Sequence, residues 1–193
     1  DSLATIGSVM FGDFTLKSGV SSPYYLDLRK IVSHPNVFEQ TVKSLLSKSS
    51  HINYDLICGV PYTALTFASG MALFAKKPLI VRRKETKNYG TQNKIDGEFR
   101  DKQRCLVVED VITSGASVLE TIKDLESKQL IVEDVLVLVD RMQGGKQSLE
   151  NKGYKVHTLL TIEEILESLK DSNFLKQTQF EQAQQFLIQH SYS

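Results

Sequence analysis

The sequence predicts an α/β domain with a central, mainly parallel five-stranded sheet flanked by helices. Three observations predict it. Five short apolar runs lack polar–apolar alternation: "DLICGV" (55–60), "PLIVR" (78–82), "RCLVVED" (104–110), "DVLVLVD" (134–140) and "KVHTLL" (155–160). Runs of Val, Ile and Leu without alternation suit strands covered on both faces, as those of parallel sheets are. Helical patterns lie between most of the runs, which predicts right-handed strand–helix–strand crossovers. Finally, 193 residues suffice for one well-buried domain and are short for two, so a single domain over 1–193 is expected.

The elements follow in order. "FGDFTLKSGVSSPYYLDLR" (11–29) carries Gly12, Gly19, Pro23 and a cluster of aromatics with partial alternation. It reads as a small irregular antiparallel element, a hood over 11–30 outside the main sheet. "NVFEQTVKSLLSKSS" (36–50) places Val37, Val42, Leu45 and Leu46 on one helical stripe. "KETKNYGTQNKIDGEFRDKQ" (84–103) is polar, charged and punctuated by glycine. Twenty such residues are unusual inside a compact domain, and a flexible, functional loop with room for a short hairpin is expected there. "ASVLETIKDLESK" (116–128) aligns Val118, Leu119, Ile122 and Leu125 on one helix face. The tail over 161–190 reads as two amphipathic helices joined near Ser172 and Asn173.

Composition narrows the class. Lys plus Arg equals Asp plus Glu at 23 each, so no global charge draws the chain to nucleic acid or an anionic membrane. No apolar run reaches the roughly 18 residues of a membrane span. Cys58 and Cys105 sit inside apolar runs and make no disulfide framework, which suits a reducing, cytoplasmic compartment. The chain opens at Asp1 without a methionine, as expected of a domain cut from a longer chain or a trimmed one.

The stretch richest in chemistry is "CLVVEDVITSGAS" (105–117). Its apolar half reads as a buried strand ending in the carboxylates Glu109 and Asp110. Its second half, Thr113, Ser114, Gly115, Ala116 and Ser117, reads as a turn of small residues opening a helix. Ligands of open parallel sheets bind beyond the carboxyl ends of the strands. A helix starting near Ser117 presents unpaired backbone N–H groups and positive partial charge. Small residues keep those amides open to a phosphate, and Gly115 allows close approach. A phosphate at the turn and hydroxyls against the carboxylates describe a ribose 5-phosphate. The ordinary alternative is an acidic strand end followed by a helix cap. No P-loop and no G-x-G-x-x-G is present.

"VVEDVITSGAS" resembles the signature that binds phosphoribosyl pyrophosphate (PRPP) in type I phosphoribosyltransferases. With "FGDFTLKSGVSSPYYLDLR", "GVPYTAL", "RRKETKNYG" and "VDRMQGG" the resemblance runs over 11–145 and falls within the orotate phosphoribosyltransferases. Its wording is closest to the transferase domains of animal UMP synthases. The resemblance implies the type I phosphoribosyltransferase fold and the conversion of orotate and PRPP to orotidine 5′-monophosphate and pyrophosphate. It implies Mg2+, held mainly by PRPP and water, and a homodimer whose catalytic loop closes over the neighbouring site. It also implies possible fusion to an orotidine 5′-monophosphate decarboxylase domain.

Residue roles follow from the same resemblance. Lys17, Tyr25, Leu26, Thr113 and Arg141 are expected at orotate. Tyr62, Thr63, Arg83, Lys84, Lys87, Tyr89, Glu109, Asp110 and Thr113 to Ser117 are expected at PRPP. Lys84, Lys87 and Asp110 are the catalytic candidates. Taken alone, these residues also have ordinary readings. Lys17 is then a solvated turn residue, Tyr25 and Leu26 are core, and Arg83, Lys84 and Lys87 form a solvated charge run. Arg141 is then a surface ion pair. Leu26 stands where the family often has an aromatic, Thr63 where bacterial members often have lysine, and Tyr89 where many members have histidine. His34, His51, His157 and His190 are scattered without ligand spacing.

No nucleophilic side chain is required, because deprotonated orotate carries its own charge at N1. Two rivals remain at this level. A phosphoribosyltransferase for a purine or uracil would lack the hood sequence and Arg141. A non-catalytic regulator that keeps the PRPP pocket would carry an extra basic module.

Overall fold

A computed structural model of the chain describes residues 2–15, 19–84 and 94–190. The elements in order are α1 (Ser2–Thr5), β1 (Val9–Thr15), β2 (Ser21–Leu26), a 3-10 segment (Leu28–Ser33), α2 (Pro35–Lys48), β3 (Leu56–Gly59) and α3 (Thr63–Ala75). They continue with β4 (Leu79–Arg82), β5 (Ile95–Asp96), β6 (Cys105–Ile112), α4 (Ala116–Glu126), β7 (Asp134–Asp140), α5 (Gly145–Glu150), β8 (Lys155–Thr161), α6 (Ile162–Asp171) and α7 (Gln177–His190).

The main sheet has the order β5-β4-β3-β6-β7-β8. The five apolar runs form its parallel strands β3, β4, β6, β7 and β8. Among the described residues the sheet nevertheless has six strands rather than five. The sixth, β5, pairs antiparallel with β4, Val81 opposite Asp96 and Arg82 opposite Ile95. The Arg83 N–H donates to the Lys94 carbonyl at 2.7 Å, and Ile95 is buried. Two residues carry no periodicity, so only this pairing reveals the strand.

Both faces of the sheet are covered, as the unalternating runs require. In β6, Leu106 and Val108 join the core under α2, α3, α6 and α7, while Cys105 and Val107 face α4 and α5 on the other side. The hood is the antiparallel pair β1–β2, with a register irregularity between Phe11 and Phe14. Cys58 and Cys105 are free and buried. Among the described residues no helix is long and apolar enough to cross a membrane.

Strand β6 runs two residues past Asp110, which corrects the expectation that the acid pair ends the strand. The neighbouring β7 is long enough to keep pairing, with Val111 opposite Val139 and Ile112 opposite Asp140.

Candidate active site

Because β3, β4, β6 and β7 are parallel, the segments that follow them emerge at one edge of the sheet. After β6, Gly115 takes a left-handed conformation (φ 77°) as the N-cap of α4, and no side chain caps the helix. The first amides of α4 are thus left to solvent or an anion. Ser114, Ala116 and Ser117 are exposed, Thr113 is half-buried and Gly115 is buried.

What supports this turn comes from the segment after β7. A Cβ on Gly145 would lie 2.4 Å from the Thr113 carbonyl oxygen, 2.7 Å from Ile112 Cγ1 and 2.9 Å from the Gly115 nitrogen. Only glycine lets the start of α5 sit under the turn. In the same segment Asp140 is buried, and its Oδ1 accepts from the Met142 N–H at 2.8 Å. Met142 has φ 57°, so this bond fixes the turn that presents Arg141. The Arg141 N–H donates to the Ile112 carbonyl at 3.1 Å, joining the ends of β6 and β7.

The two carboxylates are not equivalent. Glu109 is buried, and desolvation first, then the proximity of Asp110, pushes its carboxyl well above the usual range. Its Oε1 accepts from the Asp110 backbone N–H at 3.0 Å. Asp110 is half-buried. One carboxyl is therefore held back in the protein while its neighbour is left at the surface. Arg29, beyond the hood, is paired with Asp27 at 2.6 Å. Asp27 first, and more weakly Tyr25 and Asp110, raise its guanidinium further.

After β3, a Cβ on Gly59 would lie 2.5 Å from Leu65 Cα and 2.7 Å from the Ala64 carbonyl oxygen, so glycine lets α3 start against the strand end. The Pro61–Tyr62 peptide is cis. Thr63 opens α3, and no side chain caps that helix either. Lys84 Nζ lies 5.9 Å from the Tyr62 ring centroid, which brings the segments after β3 and β4 together. Arg83, expected at PRPP, is paired with Asp96 on β5. Lys17, Lys87 and Tyr89 lie outside the described residues.

From the hood, Tyr25 packs on Phe14 with ring centroids 5.6 Å apart, and Leu26 is half-buried. Neither makes the closest link to the sheet edge. That link is Tyr24, fully buried, whose ring lies 5.6 Å from the Arg141 Cζ and edge-on to Phe186. Burial pushes the Tyr24 phenol up, against the pull of Arg141. The Tyr24 hydroxyl and Arg141 Nε and Nη2 are all buried, and among the described residues none makes a well-formed hydrogen bond, although the Arg141 guanidinium lies close enough to pull on the Tyr24 phenol. The sequence reading missed Tyr24, Asp140 and Gly145. Alternation along "SSPYYL" held the signal for Tyr24, because Ser22 and Tyr24 share the buried face of β2.

Known proteins similar to this chain share its family and fold. Residues 29–156 match the phosphoribosyl transferase domain family. The uridine 5′-monophosphate synthase of Bos taurus is 38% identical over 98% of this chain, and the chain spans 40% of that protein's length. The orotate phosphoribosyltransferase of Chlamydia caviae is 41% identical over 91% of this chain and 86% of its own. Among solved structures, the orotate phosphoribosyltransferase of Aeropyrum pernix superposes with a TM-score of 0.81 at 33% identity, covering 88% of this chain and 96% of its own. The chain belongs to the phosphoribosyl transferase family, in its orotate phosphoribosyltransferase branch.

Proposed function

We propose that the chain transfers ribose 5-phosphate from PRPP to N1 of orotate, giving orotidine 5′-monophosphate and pyrophosphate for UMP biosynthesis. The observation that carries this is the buried cluster of Arg141 Nε, Arg141 Nη2 and the Tyr24 hydroxyl, which lacks well-formed hydrogen bonds among the described residues. Each buried donor without a partner costs about 1–3 kcal/mol. A planar anion with carboxylate and carbonyl oxygens, as orotate has, satisfies a guanidinium fork there.

PRPP lies across the remaining groups. The uncapped start of α4, with Thr113 to Ser117, takes the 5-phosphate. Asp110 accepts from the ribose hydroxyls, and Glu109 orients it through the Asp110 N–H. Tyr62, Thr63 and Lys84 take the pyrophosphate, joined by Lys87 and Tyr89. Orotate N1 forms its bond to the anomeric carbon as the bond to pyrophosphate breaks, and the electron pair leaves with pyrophosphate. The protein's contribution is orientation and fixed positive charge beside the leaving group.

Among the described residues no group of three or more His, Cys, Asp or Glu is placed to hold a metal ion. Asp110 is the available carboxylate, and such a sparse donor set fits Mg2+, which keeps waters and takes phosphate oxygens. Bound with PRPP, the ion supplies charge neutralisation at the pyrophosphate. Leu73 and Phe74, exposed in the last turn of α3, support pairing with a second copy into a homodimer. The buried free thiols support a cytoplasmic setting.

The test offers PRPP and Mg2+ with orotate, uracil, adenine or hypoxanthine, and identifies products by chromatography. Nucleotide from orotate alone is expected. Preferential turnover of a purine or uracil overturns the reading, and PRPP binding without turnover of any base points to a regulator.

A further inference from the structure

We propose that Asp124 is a positioning residue that ties the cations after β4 to the phosphate-binding helix. The inference rests on the function proposed above. Asp124 lies on α4, about 12 Å along the helix from its start at Ala116. Its Oδ2 accepts from Arg82 Nε at 2.8 Å, and its Oδ1 lies 3.2 Å from Lys94 Nζ. Arg82 is the last residue of β4, and Lys94 immediately precedes β5. One carboxylate thus holds both strands of the β4–β5 pair, directly beside Arg83 and Lys84.

The pairing is built rather than incidental. The Arg82 side chain is 2% exposed and Asp124 19% exposed. A guanidinium so buried needs a compensating charge, and removing its partner is strongly unfavourable. Glu120, one turn earlier on the same helix face, lies 3.0 Å from Arg82 Nη2 but is 60% exposed and makes no well-formed hydrogen bond there. Asp124 is therefore the principal partner. On the far side of the pair, the Arg83 side chain is paired with Asp96 and its backbone N–H donates to the Lys94 carbonyl. The N-terminus of α4 and Lys84 consequently share one frame, and the separation between the 5-phosphate and pyrophosphate subsites is set through Asp124. Arg141 and Tyr24, the two groups assigned to the orotate fork, sit beyond β7 and in the hood, outside this network.

The test compares wild type, Asp124→Asn, Asp124→Glu and Lys94→Met by kinetics, PRPP calorimetry and thermal melting. Asp124→Asn is expected to lower kcat/KM for PRPP by roughly tenfold, as small misplacements of reacting groups do. The KM for orotate should stay within about twofold of wild type. Asp124→Glu should restore part of the loss, and Lys94→Met, which keeps the Arg82 pair, should give a smaller loss of the same kind. If Asp124→Asn lowers only the melting temperature, or raises both KM values equally, the residue is merely structural and the proposal fails. Should Asp124→Asn not fold, Lys94→Met decides by the same criterion. A wild-type chain that binds no PRPP overturns the function reading and this inference together, whereas normal wild-type kinetics with an unchanged variant overturns this inference alone.

Discussion

Gly145→Ala tests how the phosphate turn is held. The added methyl would sit 2.4 Å from the Thr113 carbonyl oxygen, 2.7 Å from Ile112 Cγ1 and 2.9 Å from the Gly115 nitrogen. Two of these three atoms are backbone, so no side-chain rotation relieves the overlap. Either α5 moves off the sheet edge or the turn from Thr113 to Gly115 moves with it. Overpacking of this kind costs typically about 1–3 kcal/mol. The strand ladder fixes Ile112, and Leu149 of α5 is fully buried. The turn, which ends in an uncapped helix start, is thus the softest element. Expressed wholly at the turn, that energy weakens PRPP binding by about 5- to 150-fold. Calorimetric titration with PRPP, run beside thermal melting, reads the two effects separately. Unchanged PRPP affinity and an unchanged melting temperature would refute the claim that α5 supports the turn.

Other substitutions probe the remaining groups. Tyr24→Phe removes a buried hydroxyl that makes no well-formed hydrogen bond among the described residues, so melting should shift little or upward while the KM for orotate rises; a clear loss of stability would show that the hydroxyl is bonded within the protein. Arg141→Lys keeps the charge but loses the planar fork, and should raise the orotate KM about tenfold or more without changing PRPP affinity, as measured by steady-state kinetics. Glu109 binds its proton more tightly folded than unfolded, so it opposes folding increasingly as pH rises above the ordinary carboxylate range. Glu109→Gln should therefore melt higher than wild type at neutral pH and lose that advantage near pH 4. Asp110→Asn should weaken PRPP binding in calorimetry while leaving the melting temperature nearly unchanged.

Much of this was legible in the amino-acid order. Parallel strands buried on both faces need unbroken apolar runs, and all five such runs are strands. The turn over 113–117 was legible because few sequences combine an acid pair, hydroxyls and glycine in that order. Other features depend on contacts distant in sequence. β5 exists only by pairing with β4, and α5, six residues opening on two glycines, has too short a pattern to read. Charge alone did not separate Arg83, which pairs with Asp96, from Lys84, which packs over Tyr62. Tyr24 and Tyr25 are neighbours of one type, and only the pleat of β2 decides which one meets Arg141. In the sequence Asp124 is one more charge on an amphipathic helix, and only the fold sets Arg82 and Lys94 against it.

The most direct measurement of the central claim follows orotate absorbance and pyrophosphate release together, with PRPP and Mg2+ present. Orotate is expected to disappear only when PRPP is present, with one pyrophosphate released for each orotate consumed. Pyrophosphate release that is independent of orotate, or no consumption of orotate at saturating PRPP, would contradict it.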